Sequence, residues 1–224
     1  MTQKHAIVVG ASGLIGSSLV PLLLNSPAYH QVTLLLRRPL PIQHEKLVQR
    51  VIDFNRIEQE DIPFPAEDIF CCLGTTIRVA KTKEAFRKVD LEYPLALAQL
   101  AKEHQSKRFL IISSLGADSK SSFFYNRIKG ELETGLHQLH LSSLHILQPS
   151  LLLGERKEKR PGENFAGQWM PRLSFLLQGP LKKYRAIHAH TVAKAMYTIA
   201  QGEETGERIY LSDEIAKIGS DETK

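Results

Sequence analysis

A glycine-containing heptapeptide near the N-terminus constrains the fold of this 224-residue chain more than any other segment. The apolar stretch Ala6 to Val9 leads into Gly10-Ala11-Ser12-Gly13-Leu14-Ile15-Gly16, and leucines at helical spacing follow from Leu19. This order predicts a buried strand, a tight turn and a helix. Glycines at such a turn permit positive φ and close approach of the backbone to a pyrophosphate, which the helix N-terminus attracts. The heptapeptide therefore predicts a dinucleotide site.

The spacing of these glycines is GxxGxxG, whereas the standard dinucleotide fingerprint is GxGxxG. A glycine pattern alone is weak evidence, and its position between a strand and a helix strengthens it. The alternative is a turn that only packs the helix tightly against the strand and binds no ligand.

The composition is that of an ordinary globular domain, with 42% hydrophobic and 24% charged residues and a net charge of +5. No apolar run reaches membrane-spanning length, and the N-terminus enters the first strand without a signal-peptide pattern. We therefore expect a cytoplasmic protein with neither nucleic acid nor a membrane as partner. The adjacent Cys71 and Cys72 point to opposite faces of a strand, which predicts packing residues and no metal site.

Apolar strand-like segments alternate with helical patterns along the first two thirds of the chain, which predicts right-handed βαβ crossovers and a parallel sheet. The expected fold class is α/β, a single doubly wound Rossmann domain over residues 1–216, with a substrate-side subregion over 150–216 and a polar tail over 217–224. The strands are expected near Ala6 to Val9, Val32 to Leu36, Leu47 to Ile52, Ile69 to Leu73, Arg108 to Ser113, His145 to Gln148 and Arg208 to Leu211. The helices are expected near Gly13 to Asn25, Lys83 to Lys88, Leu91 to His104, Ser122 to Leu139, Phe165 to Leu177 and Thr191 to Gln201.

Residues that follow the strands are candidates for holding the adenosine half of the cofactor. Arg37 stands at the end of the second strand, where an acidic residue favours NAD and an arginine accommodates the 2′-phosphate of NADP. We therefore predict that the cofactor is NADP, with NAD as the alternative. Arg37 and Arg38 could instead be ordinary surface arginines that contact no cofactor. Other expected cofactor contacts come from the ends of the third and fourth strands: Asp53, Phe54, Cys72, Leu73, Gly74 and Thr75.

The candidate chemistry lies at the end of the fifth strand and on the helix after it. Ser113 and Ser114 end the strand, and Tyr125 and Lys129, four residues apart, share one face of the helix. Hydride transfer to a carbonyl requires a proton donor for the growing alkoxide and a group that orients the carbonyl oxygen. A phenol with a pKa near about 10 suits this role when a neighbouring ammonium favours its ionised form. The alternative is that Tyr125 only faces solvent and that Lys129 is an ordinary surface lysine, with neither residue taking part in a reaction.

At these residues the chain resembles the short-chain dehydrogenase/reductase superfamily, and in detail its atypical branch of Tat-interactive oxidoreductase-like proteins and their bacterial relatives. The segments that carry the resemblance are GASGLIG, CLGTT, ISSLGAD, YNRIKGE and QPSLLLGERKEKRPGE. The resemblance implies that Tyr125 is the general acid/base. It also implies that Lys129 lowers the pKa of Tyr125 and binds the nicotinamide ribose, and that a serine orients the substrate, Ser114 in preference to Ser113. Pro149-Ser150-Leu151 matches a stretch that contacts the nicotinamide amide.

The sequence therefore predicts an NADP-dependent oxidoreductase that acts on a small carbonyl or alcohol substrate. A non-catalytic, NADP-sensing regulatory or scaffold protein is one alternative. An epimerase or dehydratase of a nucleotide sugar is the other, although little chain remains after Pro149 to hold a nucleotide sugar. The expected partner is a small-molecule substrate. A homodimer is also compatible with the sequence, because the predicted helices could pair across a two-fold axis.

Overall fold

A parallel sheet of seven strands organises the computed structural model, which describes residues 3–154 and 179–220. Its strand order is β3-β2-β1-β4-β5-β6-β9, and every pair of neighbours is parallel. The strands are β1 Lys4–Val9, β2 Tyr29–Leu36, β3 Leu47–Val51, β4 Asp68–Cys71, β5 Arg108–Ile112, β6 Ser143–Gln148 and β9 Gly206–Leu211. A separate two-residue pair joins β7 (Leu152–Leu153) to β8 (Ile187–His188).

Helices cover both faces of this sheet. The α-helices are α1 Leu14–Leu24, α2 Ile77–Ala80, α3 Lys83–Arg87, α4 Tyr93–Glu103, α5 Phe124–Gln138, α6 Ala189–Gln201 and α7 Ser212–Gly219. A π-helical segment, Lys88–Glu92, joins α3 to α4, and 3-10 segments run over Phe54–Gln59 and Gly179–Tyr184. No helix within the described ranges has both the length and the apolar character that crossing a bilayer requires.

Alternate residues of β1 pack into the two halves of the core, one on each face of the sheet. Ala6 and Val8 pack with residues of α1, α6 and α7, whereas Ile7 and Val9 pack with residues of α3, α4 and α5. All four side chains have no exposed surface. A strand that is apolar at every position is the pattern of a sheet buried on both sides, so the predicted doubly wound α/β fold is confirmed.

The described elements match the predicted strands and helices closely in the first two thirds of the chain. The expected helix over Phe165 to Leu177 lies outside the described residues. The final helix, α7, runs to Gly219, so Lys217 to Gly219 are helical and not part of a polar tail. The reason is packing: Ile215 and Gly219 are buried, and Gly219 lies directly against the Thr191 backbone.

A buried ionic network joins the amino edge of the sheet to the end of α6. Asp68 accepts hydrogen bonds from the Tyr29 hydroxyl (2.6 Å) and from Arg108 Nε (2.6 Å). The same arginine donates to the Gly202 carbonyl at 2.7 Å, and Lys4 donates to the Ala200 carbonyl at 2.7 Å. These charges are paired and hydrogen-bonded, as buried charges must be, so we assign the network a structural role.

His145 on β6 belongs to a second buried network. Its ring nitrogens lie 2.9 Å from the Tyr210 hydroxyl and 2.9 Å from the Ser143 hydroxyl. Burial is the largest influence on this imidazole and lowers its pKa to about 4, although the Glu204 carboxylate opposes the shift. The ring is therefore neutral in the folded protein at neutral pH.

We expect acid to destabilise the protein partly through His145. Because the pKa is about 4 when folded and 6.5 when unfolded, the unfolded chain binds the extra proton between these values, and stability is lost as the pH falls through them. The difference in unfolding free energy between wild type and His145→Gln, measured with urea, should shrink by about 2 kcal/mol from pH 7.5 to pH 5. His5, whose pKa burial also lowers, is present in both proteins and cancels in this difference. Parallel stability curves for the two proteins would contradict the assignment.

Candidate functional site

A cavity of about 890 Å³ opens at the carboxyl edge of the sheet. Parallel strands all end at this edge, so the segments that follow β1, β4 and β5 meet there. The glycine turn forms one part of the cavity wall, the turn after β4 forms another, and Ser113, Tyr125 and Lys129 form a third. The structure thus brings the predicted phosphate-binding turn and the predicted acid/base residues into one space.

Close backbone packing explains the glycines of the turn. Gly10 has a φ of +80°, and a Cβ there would lie 2.5 Å from the Cys72 carbonyl carbon. A Cβ at Gly16 would overlap the Gly10 carbonyl oxygen, and one at Gly13 would lie 3.1 Å from the same oxygen. Gly13 then caps α1 without a side chain, so that the first N–H groups of the helix have no side-chain acceptor. These features fit a pyrophosphate above the helix N-terminus.

Of the heptapeptide, the five residues from Ala11 to Ile15 line the cavity, and Gly10 and Gly16 hold the turn against its neighbours. The turn after β4 contributes all four of its predicted residues, Cys72, Leu73, Gly74 and Thr75. Cys71 and Cys72 are free thiols, and burial raises the pKa of both, that of Cys71 to about 12. Both thiols are therefore protonated at neutral pH.

Lys129 is a buried charged residue of the cavity wall. Its side chain is 4% exposed, and its Nζ lies 2.8 Å from Oδ1 of Asp90, which is 1% exposed. Burial alone would lower the pKa of Lys129, but the Asp90 carboxylate and the nearby Tyr125 outweigh burial and raise the pKa. The lysine is therefore held as an ammonium beneath the cavity.

Asp90 is a site residue that the sequence analysis missed. In the sequence, Asp90 stands just before the helix expected from Leu91 to His104, where a carboxylate would favour the helix dipole. Instead, the π-helical segment turns Asp90 inward, where its Oδ2 accepts a hydrogen bond of 2.8 Å from the Thr75 amide. Asp90 thus connects the turn after β4 to Lys129. π-Helical segments are frequent at functional sites, but no sequence pattern marks this one.

The two candidate serines are placed differently. Ser113 is buried and lines the cavity, and its hydroxyl donates to Glu133 Oε1. Ser114 is not part of the cavity wall, and its hydroxyl is directed at the Leu115 carbonyl over 3.4 Å. The geometry favours Ser113 over Ser114 as the serine that reaches a ligand.

Tyr125 stands at the mouth of the cavity. Its side chain is 42% exposed, and its ring meets the Phe86 ring edge-on with centroids 5.9 Å apart. The phenol is therefore accessible to a ligand, while its ring is braced by α3.

The predicted adenosine contacts lie at the same edge but outside the cavity wall. Arg37 follows β2 with an exposed side chain. Asp53 caps the 3-10 segment by accepting hydrogen bonds from the Asn55 amide (3.0 Å) and side chain (2.9 Å), and these bonds lower the pKa of its carboxyl. Phe54 is buried, with its ring centroid 5.6 Å from that of Tyr93.

The segment Pro149-Ser150-Leu151 connects the sheet to the C-terminal third and also lies outside the cavity wall. The Pro149 carbonyl accepts from the Leu115 amide at 3.1 Å, and the Leu151 carbonyl accepts from the Ile187 amide at 2.9 Å. Ser150 donates to the Arg185 carbonyl and accepts from Ser212. The next residue, Leu152, reaches the cavity.

One part of the cavity wall was not anticipated from the sequence. Leu40 to His44, in the connection between β2 and β3, line the cavity together with Pro21 and Leu24 of α1. No helix stands in this connection. Within the two described ranges, no cluster of three or more His, Cys, Asp or Glu side chains could hold a metal ion.

The fold is the Rossmann-like fold that the resemblance to atypical short-chain dehydrogenases/reductases implied. The chain belongs to the HIM1 family, whose family model matches residues 42–176. It is 35% identical to the protein HTATIP2 of Rattus norvegicus, covering 99% of this chain and 91% of that protein. It is 34% identical to the mitochondrial protein FMP52 of Candida albicans, covering 96% of this chain and 94% of that protein.

Solved structures share the fold at low sequence identity. MoeE5 in complex with UDP-glucose and NAD superposes with a TM-score of 0.69 at 17% identity, covering 98% of this chain and 82% of that one. The human epimerase family protein SDR39U1 with NADPH superposes with a TM-score of 0.58 at 18% identity, covering 92% of this chain and 74% of that one.

The relatives correct the expectation of a cytoplasmic location. Several fungal relatives at 30–34% identity are named as mitochondrial proteins. The cytoplasmic prediction rested on the lack of a recognisable leader pattern, and that reasoning is wrong because relatives over most of this chain carry a mitochondrial name.

We expect Asp90→Ala to destabilise the fold strongly. It leaves the Lys129 ammonium buried without a counter-charge, which costs about 3–5 kcal/mol of unfolding free energy in urea titrations at pH 7. Asp90→Asn, which can still accept from the Thr75 amide, should lose less. In either variant the pKa of Lys129 should fall, because burial is no longer opposed. Wild-type stability in Asp90→Ala would show that the ion pair does not support the site.

Proposed function

We propose that the protein is an NADP-dependent oxidoreductase that interconverts a small carbonyl compound and its alcohol. The observation that carries this proposal is the single cavity that joins the N-terminus of α1 to Tyr125 and Lys129. A dinucleotide laid along this cavity would have its pyrophosphate at the glycine turn and its nicotinamide ribose near Lys129. The bound cofactor would supply or accept the hydride.

The residues around the cavity have distinct roles in this reaction. The Tyr125 hydroxyl donates a proton to the oxygen that gains charge as a carbonyl is reduced, and it accepts the proton in the reverse direction. The Lys129 ammonium would bind the nicotinamide ribose, and Asp90 keeps that ammonium charged in a buried position. Ser113, which reaches the cavity, orients the substrate oxygen.

The choice of NADP depends on Arg37. Its exposed guanidinium at the end of β2 has no hydrogen bond or ion pair to any described residue and is available to a 2′-phosphate. The neighbour MoeE5 is described with NAD and the neighbour SDR39U1 with NADPH, so a nicotinamide dinucleotide fits the fold and NAD is the alternative.

An epimerase or dehydratase of a nucleotide sugar is the second candidate. The neighbour MoeE5 is described with UDP-glucose, and transient oxidation of a sugar would use the same tyrosine and lysine. Such an enzyme regenerates its cofactor within each turnover, so stoichiometric consumption of NADPH distinguishes the two reactions. A sensor that binds NADPH without turnover would show neither activity.

Tyr125→Phe should lower kcat roughly a hundredfold or more while it leaves NADPH affinity nearly unchanged, because only the proton donor is lost. The rate of NADPH oxidation with a panel of aldehydes and ketones measures kcat, and calorimetry measures the NADPH affinity. Tyr184→Phe is the matched control, since Tyr184 is an exposed tyrosine outside the cavity wall. An unchanged rate in Tyr125→Phe would remove the tyrosine from the mechanism.

Arg37→Ala should weaken NADPH binding roughly tenfold or more and leave NADH binding unchanged, because a charged hydrogen bond to the 2′-phosphate is lost. Side-by-side calorimetric titrations with both nucleotides measure this difference. Arg50→Ala, which removes an exposed arginine from β3, controls for the general loss of positive charge. Equal weakening for both nucleotides, or a wild-type preference for NADH, would contradict the role of Arg37.

A further inference from the structure

A carboxyl group lies directly behind Ser113. The Ser113 hydroxyl donates to Glu133 Oε1, and the Gln148 side-chain amide donates to Glu133 Oε1 at 2.9 Å and to Oε2 at 3.0 Å. Ser113 follows β5 and Gln148 ends β6, so adjacent strands present both donors to one side chain of α5. Neither Glu133 nor Gln148 was singled out in the sequence.

Glu133 continues the functional face of α5. Tyr125, Lys129 and Glu133 follow one another at intervals of four residues, which places them along one side of the helix. The first two side chains line the cavity, and the third contacts the serine that lines it. The face therefore carries a phenol, an ammonium and a carboxyl group in sequence.

A serine hydroxyl has one hydrogen to donate. While Glu133 is a carboxylate, it can only accept hydrogen bonds. The Ser113 hydroxyl then donates its hydrogen bond to Glu133 and cannot donate to a substrate oxygen. When Glu133 is protonated, its own O–H can donate to Ser113 Oγ, and the serine hydrogen is free to turn toward the cavity. Gln148 can hold the remaining oxygen of Glu133 in either state.

We propose that Glu133 is a positioning residue whose protonation decides whether the Ser113 hydroxyl donates to Glu133 or to a ligand in the cavity. This inference rests on the proposed function for its effect on turnover, since Ser113 acts on a substrate only if a carbonyl or alcohol binds there. The coupling between the two side chains can be measured without turnover.

The surroundings of Glu133 allow the carboxyl group to be neutral. Burial is the largest influence and raises its pKa, whereas the hydrogen bonds from Ser113 and Gln148 lower it. The charged groups that face it are Lys129 on its own helix, which lowers the pKa, and Glu207 on β9, which raises it. The net shift of the Glu133 pKa is upward.

The first arm of the test titrates Glu133 in the full-length protein by carbon NMR with side-chain-labelled glutamate, with the Glu133→Gln spectrum as the assignment. Ser113→Ala removes a donor to the carboxylate and should raise the pKa of Glu133 by roughly 0.5–1 unit. Ser114→Ala is the matched control for this titration, because its hydroxyl is directed at the Leu115 carbonyl. A pKa that is the same in Ser113→Ala and wild type would overturn the proposal.

The second arm measures the pH dependence of kcat with NADPH and an aromatic 1,2-diketone as the substrate probe. The wild-type rate should fall roughly tenfold as the pH rises through the pKa of Glu133, because Ser113 stops donating to the substrate oxygen. Glu133→Gln, whose amide can donate to Ser113 at every pH, should keep the low-pH rate and lose this decline. Glu131→Gln, on the same helix but paired with Arg87, should keep the wild-type profile.

Gln148→Met provides a second variant if Glu133→Gln does not fold. It removes two hydrogen bonds to the carboxylate and should move the decline in rate to higher pH. A decline at the wild-type pH in Glu133→Gln or Gln148→Met would overturn the proposal. If the wild-type protein binds NADPH but reduces no probe, the proposed function fails, and the titration arm alone decides whether Glu133 controls Ser113.

Discussion

The buried ion pair between Lys129 and Asp90 is the interaction on which the site depends. It joins α5 to the π-helical segment, and through the Thr75 amide it also fixes the turn after β4. Two buried charges are favourable only when they are well paired, so the pair fixes the relative positions of three segments at the carboxyl edge of the sheet. The cavity wall and the orientation of the proposed acid/base face both follow from this constraint.

A parallel sheet explains why residues far apart in sequence converge. The glycine turn, the turn after β4 and Ser113 each follow a strand, and all three strands end at one edge. The opposite edge is closed by the Asp68 network, which is paired and buried. The amino edge of the sheet is therefore closed by a structural network, whereas the carboxyl edge holds the cavity, where open α/β sheets usually bind their ligands.

The sequence was most informative where local rules decide the structure. The glycine heptapeptide, the apolar strands and the four-residue spacing of Tyr125 and Lys129 were sufficient to predict the fold class and to place these groups at one site. The sequence did not reveal Asp90, because its inward direction depends on a π-helical segment that no propensity marks. Glu133 and the cavity wall at Leu40 to His44 were missed for a related reason: both depend on contacts between distant segments. The cytoplasmic prediction failed because an absent leader pattern is not evidence of location.

The proposed function requires one cavity to hold a nicotinamide dinucleotide between the N-terminus of α1 and Lys129. A crystal structure of the protein with NADPH would show where the dinucleotide lies. We expect the pyrophosphate at the amides of the glycine turn, Lys129 within hydrogen-bond distance of the nicotinamide ribose, and Tyr125 beside the nicotinamide ring. A dinucleotide bound elsewhere, or a nicotinamide ring remote from Tyr125, would contradict it.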